Sequence, residues 1–263
     1  MGPATTLDVG LGAREVLSTP AEGRVVGTYR VAAYLRFPAG LVALTSGLAP
    51  RGPLHLRVAG LPALRPGERV TTDGTALYGT TLHGTRWSRS LAAPTWTGAL
   101  PGGPHTPPGG RTRGRTCVPA PGPVCELGEW AARLGGRGPG LTPEGDDVLA
   151  GMLLAVRAAR GPAAEPGLRA VAASVRTTEP AAAFLAWAAR GQCIEPAHDW
   201  LTAADGAARL RAERRLRAVG ASSGAALVRG LRTGAGQASG TDIQTARVGP
   251  GPEPDQLWGR SVG

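Results

Sequence analysis

The sequence predicts an α+β protein with an antiparallel β-rich N-terminal part and an all-helical C-terminal part. Apolar and polar residues alternate up to about residue 97, a stretch rich in glycine and proline covers 98–124, and a helical period follows it. The chain of 263 residues is long enough for one large domain or two small ones and buries a core without disulfide staples. Four stretches are expected: 1–97 β-rich, 98–124 a flexible connector, 125–234 helical, and 235–263 a loosely ordered tail.

In the first part, RVVGTYRVAAYLRF (24–37) puts Val25, Tyr29, Val31, Ala33, Leu35 and Phe37 on one side and Arg24, Thr28, Arg30 and Arg36 on the other. That is the period of a half-buried strand. LVALTSGL (41–48), LHLRV (54–58), RVTT (69–72), TALYGTTLH (75–83) and RWSRSL (86–91) follow as strands, punctuated by APRGP and RPGE. Their sum is an antiparallel sheet or small barrel. The connector holds seven glycines and seven prolines and little that builds a core, so it is expected to be mobile. After it come ELGEWAARLGG, VLAGMLLAVRAAR, GLRAVAASVR, EPAAAFLAWAARG, EPAHDWLTAA, GAARLRAERRLRAVG and SGAALVRGLRTG, alanine- and leucine-rich helices with glycine stops.

Composition removes several classes of function. The formal charge of +10 suggests a nucleic-acid or anionic partner. All 29 basic residues are arginine, however, with no Lys or Asn, and Ile occurs only as Ile194 and Ile243. These absent residues are the ones with AT-rich codons, so a GC-rich genome accounts for the bias. Without lysine there is no P-loop lysine, Schiff base or pyridoxal anchor, and no cofactor is expected. Three cysteines without a CxxC pair (Cys117, Cys125 and Cys193), a start lacking a basic-then-apolar signal, and no long apolar run point to a soluble, cytoplasmic protein without membrane association.

The stretch GRGPGLTPEGDD (136–147) stands directly before VLAGMLLAV, the most apolar run. Thr142 is a fitting N-cap, Pro143 suits the first helical position, and Glu144, Asp146 and Asp147 oppose the positive end of the helix dipole. Capping accounts for that much but not for Gly138, Gly140 and Gly145, which cost backbone entropy unless something approaches the main chain closely. Main-chain N–H groups around Pro139, aimed into a cavity, would hold a phosphate or carboxylate, with Arg137 offsetting the three acids. Capping remains the simpler of the two readings. The helix beyond, with Val148, Leu149, Met152, Leu153 and Val156, is apolar nearly all round and is expected at the centre of the packing. AVGASSGAALVRG repeats the form: Gly220 ends one helix, and Ser222 or Ser223 with Gly224 opens the next, so two such entrances could face one pocket.

GRGPGLTPEGDDVLAGMLLA resembles the signature of the AllH (YlbF-like) family, subunits of oxamate carbamoyltransferase, whose loop reads close to GLGPGLTPSGDD. GRVVGTYRVAAYLRF, RGPLHLRV, PGERV, the region of Trp96, TTEPAAAFLAWAARG and GASSGAALVRG agree in order, so the resemblance spans roughly residues 20–235. Gly138, Pro139, Gly140, Leu141, Thr142, Pro143, Gly145, Asp146 and Asp147 match the signature. Glu144 departs from the family's serine. Ala221, Ser222, Ser223, Gly224 and Ala226 lack the His and Asp of the family's HTSGxD loop. The resemblance implies work with FdrA-like and YlbE-like partner subunits to move a carbamoyl group between oxamate, which carries it as oxalurate, and phosphate, which carries it as carbamoyl phosphate, in purine or allantoin breakdown. No catalytic residue is carried over from the family; by motif and chemistry Asp146 and Asp147 are the catalytic candidates. Arg137, Gly138, Gly140, Thr142, Gly145, Ser222, Ser223 and Gly224 are the substrate-binding candidates.

The other candidates carry less. His55 on the polar face of its strand, His83 at a strand end, His105 in the connector and His198 on a helix read as surface or packing residues. Cys117, Cys125 and His105 fit no zinc-ligand spacing. Asp146 and Asp147 point about 100° apart on a helix, so direct chelation of Mg²⁺ by both is disfavoured and no metal is assigned. ARLRAERRLR (208–217) reads as a solvated helix side with Leu210 and Leu216 inward, and a nucleic-acid face is the rival without any reader motif. Trp130, Trp187 and Trp200 read as core or interface. The principal alternative to an enzyme subunit is a non-catalytic scaffold, whose glycine loop only caps and packs a central helix.

Overall fold

The computed structural model describes residues 5–101 and 123–238. Strand β1 (Thr6–Gly10) runs straight into helix α1 (Leu11–Leu17), followed by β2 (Ala21–Thr28), β3 (Ala32–Phe37), β4 (Gly40–Ser46), β5 (His55–Val58), β6 (Arg69–Thr72), β7 (Ala76–Thr80), β8 (Arg86–Ser90) and β9 (Thr95–Trp96). They form one nine-stranded sheet in the order β8-β7-β6-β2-β3-β4-β5-β1-β9. Most neighbours are antiparallel, but β4 with β5 and β1 with β9 are parallel, so the expected antiparallel sheet is a mixed one. Alternation of side chains reads the same in either chain direction, which is why parallel pairing leaves no trace in the pattern.

The single strand expected over 24–37 is a hairpin. The Tyr29 N–H donates to the Ala32 carbonyl at 2.7 Å, and Thr28 pairs with Ala33. No Gly, Pro, Asn or Asp marks this turn, and a register shift between Val25 and Gly27 resets the alternation ahead of it. Likewise β7 ends at Thr80, and the chain turns through Gly84, at φ 77°, into β8.

Each central strand has two fates. Ala33, Leu35, Val42, Leu44, Leu56 and Val58 face one side, where with Val16 and Leu17 of α1 they form a buried core. On the opposite face the register sets Ala32 beside Thr45, Tyr34 beside Ala43, Ala43 beside His55 and Thr45 beside Arg57. This second face looks toward the helices.

The helical part comprises α2 (Pro123–Leu134), α3 (Glu144–Arg160), α4 (Glu165–Ser174), α5 (Glu179–Ala189), α6 (Glu195–Thr202), α7 (Gly206–Arg217) and α8 (Ser223–Ala238). As expected, α3 is central: Leu149, Met152, Leu153, Leu154 and Val156 are buried in one cluster with Leu127, Leu168, Leu185, Val228 and Leu231 from the surrounding helices. Against α8 the contact is backbone to backbone. A Cβ on Gly230 would stand 1.9 Å from the Val148 carbonyl oxygen, and one on Gly151 2.4 Å from that of Leu227. The two parts are joined by the ion pairs Arg36–Glu179 and Arg51–Glu195 and by the Trp96 indole donating to the Cys193 carbonyl at 3.2 Å.

Several expectations need correction. Leu210 of α7 is 54% exposed, while Leu216 and Glu213 are buried, Glu213 accepting from Arg217 and Arg232. The first residues of the expected connector are docked, since the Leu100 N–H donates to the Gly191 carbonyl at 3.0 Å and Leu100 is buried. Residues 235–238, expected in a loose tail, are helix. The remainder of the connector, 102–122 with His105 and Cys117, and the tail 239–263 lie outside the described residues. Among the described residues no helix is long and apolar enough to cross a membrane.

Because nothing can yield at the Val148 carbonyl except the helix itself, Gly230→Ala should overpack the α3–α8 contact and cost about 3 kcal/mol. For a chain of this size that lowers Tm by roughly 6–12 °C. A thermal melt with Tm unchanged would show that the helices do not meet there.

Candidate functional site

A cleft of about 840 Å³ lies between the second face of the sheet and helices α3, α5 and α8. One wall begins with the glycine loop. Gly136 and Gly138 take φ values of 68° and 118°, a region that favours glycine, and a Cβ on Gly138 would stand 2.9 Å from the Glu144 nitrogen. The loop is tied from beneath. Asp146, only 2% exposed, accepts from the Gly136 N–H at 2.9 Å and from the Thr177 hydroxyl, and the Thr178 hydroxyl donates to the Leu141 carbonyl.

Thr142 is not the cap of α3. Pro143, at φ −52° and ψ 140°, extends the chain for one further residue and itself holds the N-cap position. The Thr142 side chain is thereby released toward the second loop, where its Oγ1 lies 3.2 Å from Ser223 Oγ. The two loops therefore meet. The Glu144–Arg229 ion pair spans the same junction.

The first turn of α3 is satisfied internally. The Gly145 N–H donates to the Arg137 carbonyl at 2.9 Å, and those of Asp146 and Asp147 donate to Pro143 at 2.9 and 3.2 Å. Arg137, Gly138 and Gly140 are exposed, and none of them lines the cleft; Gly145 is buried against the Leu134 carbonyl. Leu141, Thr142 and Asp147 do line it. From the late loop Gly220, Ser223 and Gly224 line the cleft, whereas Ser222 is exposed and does not. Gly224 is required sterically, since a Cβ there would lie 1.8 Å from the Leu216 carbonyl oxygen.

Asp147 brings a carboxyl to this wall. Burial raises its carboxyl from 3.8 to about 7; the Ser223 hydroxyl opposes the rise, and the charges of Asp146 and Glu144 add to it. Its Oδ2 is buried without a hydrogen-bond partner among the described residues.

The sheet supplies the other wall through Tyr34, Thr45, His55 and Arg57. Burial lifts the Tyr34 phenol to about 12, with Tyr29 and Asp147 adding to the shift. Arg57 is spent on Asp8 at 2.6 Å and on the Gly47 carbonyl at 2.9 Å. His55, read from the sequence as a surface or packing residue, is buried because its strand lies under the helices, and desolvation holds its pKa down at about 4, so the ring is neutral. Cys193 also lines the cleft, and burial drives its thiol strongly upward, which keeps it from acting as a thiolate. Sequence reasoning missed Tyr34, Thr45, His55 and Gln192. Alternation marks the first three only as positions opposite the core, a pattern it shares with every solvated strand face. Among the described residues no group of three or more His, Cys, Asp or Glu is arranged to hold a metal ion.

The raised Asp147 pKa has a definite sign. The neutral carboxyl suits the folded cleft, so the stabilisation is fully present below about 3.8 and is lost as pH rises through about 7. Asp147→Asn should remove that loss, and the difference in Tm between variant and parent should grow in the variant's favour from pH 4 to 8. A pH-independent difference in thermal melts would contradict the assignment.

No curated protein and no solved structure matches the chain. Residues 134–235, which carry both loops, Asp147 and the contact of α3 with α8, match the family model of the oxamate carbamoyltransferase subunit AllH.

Proposed function

We propose that the chain is a subunit of a cytoplasmic carbamoyltransferase-like enzyme of purine or allantoin breakdown and that the cleft is where its substrate sits. The observation that carries this reading is the meeting of the two loops, Thr142 against Ser223, beside a half-buried carboxyl poised near neutrality. Carbamoyl transfer from carbamoyl phosphate to oxamate forms a C–N bond at the carbamoyl carbon and breaks its C–O bond to phosphate. The attacking amide nitrogen must lose a proton, and Asp147 in its carboxylate form is the group to accept it. In the reverse direction protonated Asp147 returns that proton to the departing oxamate nitrogen as phosphate attacks. A general acid–base with a pKa near the working pH serves both directions. The hydroxyls of Thr142 and Ser223 stand to donate to oxygens of the substrate, and Arg30 at the rim of the cleft supplies positive charge toward a small anion. Main-chain anion binding around Pro139 has no part in this reading, and neither do Arg137, Gly138, Gly140, Gly145 and Ser222. Asp146 shapes the loop and does not touch the substrate.

A second reading, a scaffold without catalysis, draws support from Asp146, whose carboxylate is engaged by Gly136 and Thr177 as a purely structural strut would be. Co-expression with FdrA-like and YlbE-like subunits separates the two. Purified complex should form carbamoyl phosphate from oxalurate and phosphate, and Asp147→Asn should lower kcat by at least about 100-fold with assembly intact. Unchanged turnover per assembled complex would leave the scaffold reading standing.

A further inference from the structure

The sheet wall of the cleft holds polar groups that the reaction above does not use. His55 is only 8% exposed and Thr45 only 2%, yet both line the cleft. They lie on one face, for Ala43 pairs with His55 and Thr45 with Arg57 along the parallel strands β4 and β5. The register continues that face through Ala32, beside Thr45, and Tyr34, beside Ala43, and both Ala32 and Tyr34 line the cleft.

The His55 ring is fixed in both orientation and tautomer. Its Nδ1 lies 2.8 Å from the Pro50 carbonyl oxygen, which can only accept, so Nδ1 carries the hydrogen. Gly52 makes room for this bond: a Cβ there would stand 2.9 Å from Nδ1 and Cε1. Phe184 meets the ring edge-on, with centroids 6.3 Å apart. Nε2 is left with a lone pair and has no hydrogen bond among the described residues, and burial keeps the ring from gaining a second proton. In the same cleft Gln192 Oε1, Thr45 Oγ1, Asp147 Oδ2 and Arg57 Nε are buried without partners among the described residues. Buried polar atoms left so carry a desolvation cost that a bound ligand removes. The neutral ring nitrogen of His55 and the Gln192 amide oxygen can only accept, so this part of the cleft suits a ligand that brings N–H donors.

We propose that His55 Nε2 accepts a hydrogen bond from the amino group of a carboxamide or carbamoyl substrate, so that the sheet wall selects an amide over the carboxylate of the same shape. The inference rests on the cleft being the substrate site, and it assigns substrate selection to a strand outside residues 134–235, the segment that the family model matches. An oxalate oxygen in place of the oxamate nitrogen would set lone pair against lone pair. A site that loses a buried hydrogen bond in this way rejects the analogue strongly.

The test uses the full chain with its co-purified partner subunits, labelled with ¹⁵N-histidine, and oxamate, oxalate and carbamoyl phosphate as probes. The Nε2 resonance of His55, assigned by its loss in His55→Phe, should move on saturation with oxamate and stay in place with oxalate. Oxamate should bind at least tenfold tighter than oxalate. His55→Gln, which retains an acceptor, should keep part of that preference, and His55→Phe should bring the ratio toward one, whatever either variant does to Tm. If oxamate binds but neither moves Nε2 nor outcompetes oxalate, the role of His55 is overturned and the proposed function stands. If neither oxamate nor carbamoyl phosphate binds the complex, the functional reading falls and takes this inference with it.

Discussion

The close approach of α3 and α8, backbone against backbone across Gly151 and Gly230, governs the geometry of the whole helical part. Side chains at those positions would force the helices apart by about 1 Å or more, enough to break a hydrogen bond such as that between Thr142 and Ser223. Both loops are the N-terminal entrances of these two helices, so the distance between the helices fixes the distance between the loops. This glycine contact thus decides whether the two hydroxyls and Asp147 share one wall. The Glu144–Arg229 pair at the exposed end of the contact adds little by itself, because exposed ion pairs contribute at most about 1 kcal/mol.

The sheet works under a different constraint. Its central strands must bury one face on α1 and present the other to the helices, and the period of two divides the residues between these tasks without ambiguity. Leu35, Val42, Leu44, Leu56 and Val58 serve the core. Tyr34, Thr45, His55 and Arg57 are placed by the same alternation on the cleft. Shifting any one strand by a residue would exchange the two sets, so packing against α1 is what aims the polar wall.

The parts of this arrangement that follow from local chemistry were legible in the sequence. Leu149, Met152, Leu153 and Val156 around one helix announced its central position, and the change of period near the connector announced the β-then-α organisation. The hairpin at Tyr29 was not legible because its turn uses no residue with a special backbone preference. The parallel pairing of β4 with β5 was not legible because the pattern is blind to direction. Thr142 was misread as a cap because Thr followed by Pro matches the residue preferences of the N-cap and the first helical position, and only the backbone angles put Pro143 at the cap. The glycines of the loop were correctly seen to need explanation. That explanation is mainly the left-handed backbone of Gly136 and Gly138 and the buried carboxylate of Asp146, not an open cradle for an anion. His55 was passed over because burial by a second layer of structure cannot be read from a strand of four residues.

Two places on the molecule therefore compete for a small anion: the exposed outer side of the glycine loop at Gly138 and Gly140, and the cleft behind it, where Thr142, Asp147 and Ser223 face the sheet. The outer side offers exposed backbone and Arg137; the cleft offers shelter from water, a carboxyl near its midpoint and unpartnered polar atoms. A crystal structure of the chain soaked with oxamate decides between them. Ligand density between Asp147 and His55, within hydrogen-bond reach of Thr142 or Ser223, is the predicted result; density only against the outer face of Gly138–Gly140, with the cleft unchanged, would contradict it.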